Sequence, residues 1–296
     1  MTPVIFGIKK TELSRDEIDL FMSYKPAGYI IFTRNIESKQ QLTELILSIN
    51  TMYKEEKPLI LIDQEGGRVQ RLREPHTKNY PSPKNFADRV KTEDRNLIYN
   101  EIFNSNYEMA LELAKFGITV NCTPVADLYY PFANNIIGDR SFGNDPEIVT
   151  LFCRAVIAAH RNAGVEAVIK HIPGHGRAFN DSHIELSYIE ANLAELEVTD
   201  FLVFKELSIH SNYAMTAHII YNCLDSENPI TFSKKAIDYI RQKICFKGKI
   251  ITDCITMKAL SGTYAEKTIK ALNAGCDYVL HCSGDIEEMR EIVSVL

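Results

Sequence analysis

No stretch of the sequence approaches the ~18 consecutive apolar residues of a membrane-spanning helix. The start, MTPVIFGIKK, lacks the basic segment, long apolar stretch and small-residue cleavage site of a signal peptide. A cytoplasmic protein with no membrane partner is expected. The seven cysteines, at positions 122, 153, 223, 245, 254, 276 and 282, are odd in number and contain no CxxC pair. That argues against a disulfide framework and a zinc ribbon, and reads as reduced thiols packed as small hydrophobes. A basic excess is also missing: the formal charge is −6 and the pI about 5.8, so there is no electrostatic footprint for nucleic acid. Linkers and low-complexity segments are absent too. With 45% apolar and 24% charged residues, wholesale disorder and fibrous repeats are excluded.

What is present is a repeating unit, a short apolar run followed by an amphipathic stretch. Strands are predicted at residues 4–8, 29–32, 59–62, 118–121, 165–169, 213–218, 249–252 and 277–281. Between them, helical spacing covers 16–24, 39–53, 97–115, about 146–163, 199–210, 233 to about 245, and 265–273, and a last helix starts near Asp285. Such alternation predicts an α/β chain, a (β/α)8 TIM-type barrel forming a single catalytic domain over residues 1–296. A doubly wound open sheet is the rival. Polar residues at the ends of so many strands favour closure around one site.

The richest of those strand ends is KHIPGHGRAFNDSH, residues 170–183, directly after the apolar VEAVI. A lysine following a buried run is costly unless it meets water, a partner or a ligand. Lys170 and His171 are therefore candidate binding groups. Asp181 and His183, with one residue between them, can put a carboxylate beside an imidazole as a general acid/base pair. The spacing of His171, His175 and His183 also admits metal ligation, but no HExxH or helical pair supports it. Asp63 ends the run LILI and enters QEGG, where it either receives substrate hydroxyls or caps a turn; Glu65 reads equally as a solvated loop charge. Arg140, in GDRSFG, either clamps a polar ligand or lies on the surface. Asp253, ending the strand in IITDCITM, is a candidate nucleophile or electrostatic stabiliser, or a simple N-cap. Asp127 and His218 are weaker candidates, read as structural.

LIDQEGGRVQRLR, GDRSFG, KHIPGHG followed by DSH, AMTAH and IITDCITM, in this order, resemble glycoside hydrolase family 3, and most closely its single-domain β-N-acetylglucosaminidases of the NagZ type. The resemblance implies that Asp253 is the nucleophile of a covalent glycosyl-enzyme and that His183, supported by Asp181, is the acid/base. It further implies that Asp63, Arg71, Arg140, Lys170 and His171 bind N-acetylglucosamine. The expected activity is a retaining exo-β-N-acetylglucosaminidase acting on peptidoglycan-derived muropeptides in cell-wall recycling, with no metal or organic cofactor, a small carbohydrate as substrate and a monomeric state. A β-glucosidase-like family 3 enzyme and a non-catalytic sugar-binding barrel are the alternatives, and water or phosphate can be the acceptor. The sequence departs from the pattern at Cys254, where an acidic residue often follows the nucleophile, at Ile172, and in the spacer RAFN.

Overall fold

The computed structural model describes residues 1–179 and 186–296. Its frame is a ring of parallel strands: β1 Thr2–Gly7, β2 Pro26–Ile31, β3 Leu59–Ile62, β4 Val120–Asn121, β5 Glu166–Ile172, β6 Tyr213–Thr216, β7 Lys249–Ile251 and β8 Val279–His281. The hydrogen-bonded order is β7-β6-β5-β4-β3-β2-β1-β8. A parallel bridge between Ile251 and Tyr278 joins the two ends of that order and closes the barrel. Outside it pack α1 Arg15–Tyr24, α2 Lys39–Thr51, α3 Arg95–Lys115, α4 Pro146–Asn162, α5 Asp200–Leu207, α6 Lys234–Gln242, α7 Tyr264–Ala274 and α8 Ile286–Val293. The eight strand–helix repeats expected from the sequence are thus realised as a (β/α)8 barrel.

Closure is visible in the side chains as well as in the backbone. One apolar residue from every strand (Ile5, Ile30, Leu61, Val120, Val168, Met215, Ile251 and Leu280), with Cys122, forms a buried cluster inside the ring. Their strand neighbours, such as Val4, Phe6, Tyr29, Ile31, Ile60 and Ile62, belong to a second cluster beneath the helices. Successive strand residues point to opposite faces, so each apolar run serves both layers. Full burial of such a side chain stabilises the fold by about 1.5–3 kcal/mol.

Local signals set where the helices begin and end. Ser14 with Glu17, and Thr263 with Glu266, form capping boxes on α1 and α7. Asp145 caps α4 with Pro146 at its first position, and α7 ends on Gly275 with φ 110°, a conformation that a residue bearing Cβ resists. Every strand but β3 differs from its expected bounds by one to three residues at one or both ends, and two of the shifts bear on the barrel mouth. β4 is reduced to two residues because the Thr119 hydroxyl accepts the Ile60 N–H at 2.9 Å in place of a ladder bond. β5 extends through Lys170 and His171 to Ile172, so the charged residues lie within the strand and not beyond it.

Candidate active site

Two residues past the interior layer, the same strand faces reach the C-terminal mouth of the barrel. Counting on from Ile30, Leu61, Val168, Ile251 and Leu280 gives Phe32, Asp63, Lys170, Asp253 and Cys282, and all five line one cavity of about 390 Å³. That volume lies within the range of small-molecule sites. The floor of the cavity is therefore the upper surface of the apolar plug, and its position at the strand C-termini is where barrel ligands bind.

One wall is a compact ion cluster. The Lys170 ammonium lies 3.0 Å from Asp63 Oδ1 and 2.6 Å from Glu65 Oε1. Arg71 donates to Asp63 Oδ2 at 3.0 Å, while Arg140 donates through Nε and Nη2 to the two oxygens of Glu65 at 2.8 Å each. The cluster thus holds three cations and two carboxylates. Burial pushes both carboxyls up, but the cations outweigh it and hold Asp63 and Glu65 below the usual carboxylate range. Burial lowers Lys170, and Asp63 with Glu65 more than reverses this, so its pKa is raised and the ammonium is retained.

The loop after β3 brings these groups together. Gln64 to Gly66 and Val69–Gln70 pair as an antiparallel hairpin, with φ of 96° at Gly66 and 59° at Gly67. A Cβ on Gly66 would lie 2.3 Å from the Pro81 carbonyl oxygen, so only glycine fits there. The buried Gln64 side chain accepts the N–H groups of Arg71 and Leu72 at 2.8 and 3.0 Å, folding Arg71 back over Asp63. Arg68 crosses to the opposite rim, where it pairs with Asp139 at 2.7 Å and donates to the carbonyls of Asn135 and Ile136.

His171 presents a different arrangement. Its Nδ1 lies 2.7 Å from Asp127 Oδ2, and the N–H groups of His171 and His175 donate to Asp127 Oδ1 at 3.0 and 2.7 Å. A carboxylate can only accept, so the shared proton sits on Nδ1 and leaves Nε2 for the cavity. Burial raises the Asp127 carboxyl, but His171 outweighs it and the group stays anionic. Burial, with His171 nearby, pushes the His175 imidazole down to about 4.

Asp253 stands across the cavity from the cluster. Its backbone N–H donates to Thr216 Oγ1 at 3.3 Å, and its Oδ1 accepts the Cys254 N–H at 2.7 Å. Among the described residues it forms no ion pair with lysine or arginine. Burial raises its carboxyl, yet His171, His218, the Cys254 N–H and Lys170 together hold it below the usual range. Behind it, His218 is buried and contacts the Cys254 carbonyl through Nε2 at 3.0 Å and Thr231 Oγ1 through Nδ1 at 2.7 Å. A carbonyl cannot donate, so Nε2 carries the proton, and burial lowers the pKa of this imidazole.

The structure therefore brings Asp63, Arg71, Arg140, Lys170, His171 and Asp253 to one cavity. Asp181 and His183 lie outside the described residues. Two of the plainer readings fail: the Glu65 side chain is 1% exposed, so it is no solvated loop charge, and Arg140, at 11%, is no surface arginine. Sequence reasoning missed Phe32, Arg68 and Cys282 as wall residues. Continuing the two-residue alternation past each apolar run would have found the first and the last.

This chemistry has known relatives. The profile of the "Glycosyl hydrolase family 3 N terminal domain" matches residues 6–296. The chain belongs to glycoside hydrolase family 3. This family 3 chain is 35% identical over 302 residues to a beta-hexosaminidase from Haemophilus influenzae, covering 100% of the chain and 82% of that protein. Native NagZ from Neisseria gonorrhoeae superposes with a TM-score of 0.90 at 30% identity, over 99% of this chain and 88% of the other. A family 3 beta-N-acetylglucosaminidase from Paenibacillus sp. str. FPU-7 gives 0.91 at 28% identity, over 99% of this chain and 56% of the other. As a family 3 member, the barrel is a glycosidase.

Proposed function

We propose that this family 3 barrel, acting over residues 1–296 as one catalytic domain, is a retaining exo-β-N-acetylglucosaminidase. Its substrate is terminal N-acetylglucosamine on peptidoglycan-derived muropeptides, and its setting is cytoplasmic cell-wall recycling. The observation that carries the reading is Asp253: an anionic carboxylate lining the cavity, oriented by the Cys254 N–H, with no lysine or arginine pairing it among the described residues. A carboxylate held that way is available to attack carbon. The names of the relatives supply the sugar.

Retention requires a nucleophile on one face of the anomeric carbon and a proton donor at the glycosidic oxygen. Asp253 attacks that carbon through an oxocarbenium-like transition state and forms the glycosyl-enzyme. His183, with Asp181 stabilising its imidazolium, protonates the departing oxygen and then takes a proton from the incoming water. Asp63, Lys170, Arg71 and Arg140 receive the hydroxyls of the sugar, and His171 offers Nε2 from a ring fixed by Asp127. A cluster already paired internally reorganises little on binding, so the geometry is prepaid in the fold.

The test is turnover of an aryl β-N-acetylglucosaminide against the aryl β-glucoside, with Asp253→Ala beside the wild type. Selective cleavage of the first substrate, lost in the variant, is expected. An inactive wild type, or a variant with full activity, sinks the reading. Intact-mass detection of a glycosyl adduct from a slow N-acetylglucosamine donor, mapped to Asp253, tests the covalent step, and product analysis with and without phosphate identifies the acceptor.

A further inference from the structure

The loop that carries Asp63, Glu65 and Arg71 is held from behind by a buried polar chain that the mechanism does not use. The backbone ladder between β3 and β4 ends where the Cys122 N–H donates to the Ile62 carbonyl at 2.8 Å. Beyond that rung the backbone has no donor left to give: the Thr123 N–H turns back to the Asn121 carbonyl at 2.8 Å, and Pro124 has no N–H. The Asn121 side chain continues the ladder. Its Oδ1 accepts the Gln64 N–H at 2.9 Å and its Nδ2 donates to the Gln64 carbonyl at 2.8 Å, so one amide occupies both backbone groups of Gln64.

The second Nδ2 proton points outward, to His160 on α4, whose Nε2 is 2.9 Å away. His160 Nδ1 lies 2.9 Å from the Val156 carbonyl, which can only accept. Nδ1 therefore carries the proton and Nε2 receives the amide. Asn121 and His160 are fully buried, and burial pushes the imidazole down to about 4, so the ring is neutral. We infer that Asn121 and His160 are positioning residues for sugar binding, which act through the Gln64 backbone to set where Asp63, Glu65 and Arg71 stand in the cavity.

Gln64 is the residue through which all three groups can be placed at once. It separates Asp63 from Glu65 in the chain, and both carboxylates meet the Lys170 ammonium, at 3.0 and 2.6 Å. Its side chain accepts the Arg71 N–H at 2.8 Å. A two-stranded hairpin has little stability of its own, so the register of this one against the barrel wall comes from the Asn121 clamp. His160 completes the clamp from the helix layer by taking the amide proton that Gln64 leaves over. Without Asn121 the buried Gln64 N–H and carbonyl lose these partners, and the hairpin must shift to find others.

The experiment compares Asn121→Leu, His160→Leu and His160→Gln with the wild type, and with Ile292→Ala, a truncation of a buried α8 residue outside this chain of bonds. Amide exchange read by mass spectrometry is expected to quicken over residues 64–72 in both leucine variants and to return toward the wild type in His160→Gln, whose Oε1 again offers Asn121 an acceptor. On the aryl β-N-acetylglucosaminide, KM and the inhibition constant of free N-acetylglucosamine should rise together, by about tenfold in Asn121→Leu and by less in His160→Leu, with kcat within about threefold. Where Asn121→Leu does not fold, His160→Leu, which keeps both Gln64 bonds, carries the same readings. Unchanged exchange and KM in a folded leucine variant overturn the inference. So does a fall in kcat at constant KM, or an equal rise of KM in Ile292→Ala at a matched loss of melting temperature. Only the kinetic effect rests on the function proposed above: a wild type that cleaves no glycoside sinks that function, and exchange measured without substrate then decides the anchoring.

Discussion

Replacing Glu65 by glutamine removes one negative charge from the centre of the ion cluster and almost none of its volume. In the wild type, that carboxylate, whose side chain is 1% exposed, accepts two bonds from Arg140 at 2.8 Å and pairs with the Lys170 ammonium at 2.6 Å. The amide keeps a single acceptor oxygen and turns an N–H₂ toward a guanidinium or an ammonium. Three cations then face the Asp63 carboxylate alone. Stripping one partner from a buried pair costs about 3–5 kcal/mol, and at roughly 2–4 °C per kcal/mol for a large domain the melting temperature falls by about 10 °C. The loss depends on pH with a definite sign. The folded pKa of Glu65 is depressed below its unfolded value of about 4.3, so its stabilisation is complete above that value and disappears as pH falls through the folded pKa. Thermal unfolding followed by circular dichroism at pH 7 and at pH 3 to 4 measures this, with the gap between wild type and variant narrowing in acid. Removing both ions as Glu65→Leu/Arg140→Met is expected to cost less than the two single changes combined, because no charge is left unpaired. A single variant that melts within about 1 °C of the wild type at neutral pH refutes the reasoning.

Other expectations follow from the same geometry. Asp127→Asn leaves the N–H groups of His171 and His175 with a poorer acceptor and frees the His171 ring; a fall in kcat/KM of about tenfold to a hundredfold, with the fold retained, is expected in steady-state kinetics. Leu61→Ala opens a void in the interior layer directly below Asp63, and denaturant unfolding should record a loss of about 2–5 kcal/mol. Because Asp253 is held below the usual carboxylate range, the acid limb of the kcat/KM profile should lie below about pH 4. An acid limb set higher by Asp253 would show that the carboxylate is not stabilised as described.

The barrel was legible because parallel strands buried on both faces appear as short apolar runs, and helix starts carry capping signals such as Ser14 and Asp145. Asp63, Lys170 and Asp253 were legible for a related reason: a charge at the end of such a run has few tolerable positions. Glu65 and Arg140 carried no comparable signal. They are 75 residues apart in loops, and each becomes intelligible only as the other's partner. The strand boundary at Lys170 was misread because an apolar run is cut at its first charge, whereas the ion cluster lets β5 carry its lysine inside. Cys254 and Cys282 read as small hydrophobes, since nothing local says that the ends of β7 and β8 meet.

That meeting point has one more consequence. β1 pairs with β2 and β8 over several residues, and β7 pairs regularly with β6, but the β7–β8 seam has one bridge, at Ile251 and Tyr278, and beyond it the Ile255 N–H donates to the Leu280 carbonyl at 3.0 Å and the Leu280 N–H to the Thr252 hydroxyl at 2.9 Å. The ring is therefore a bracelet whose clasp lies beside Asp253. A molecule seated in the cavity and touching both Asp253 and the wall at Cys282 would fasten it, and slower amide exchange along residues 250–255 would register the occupant before any bond was cleaved.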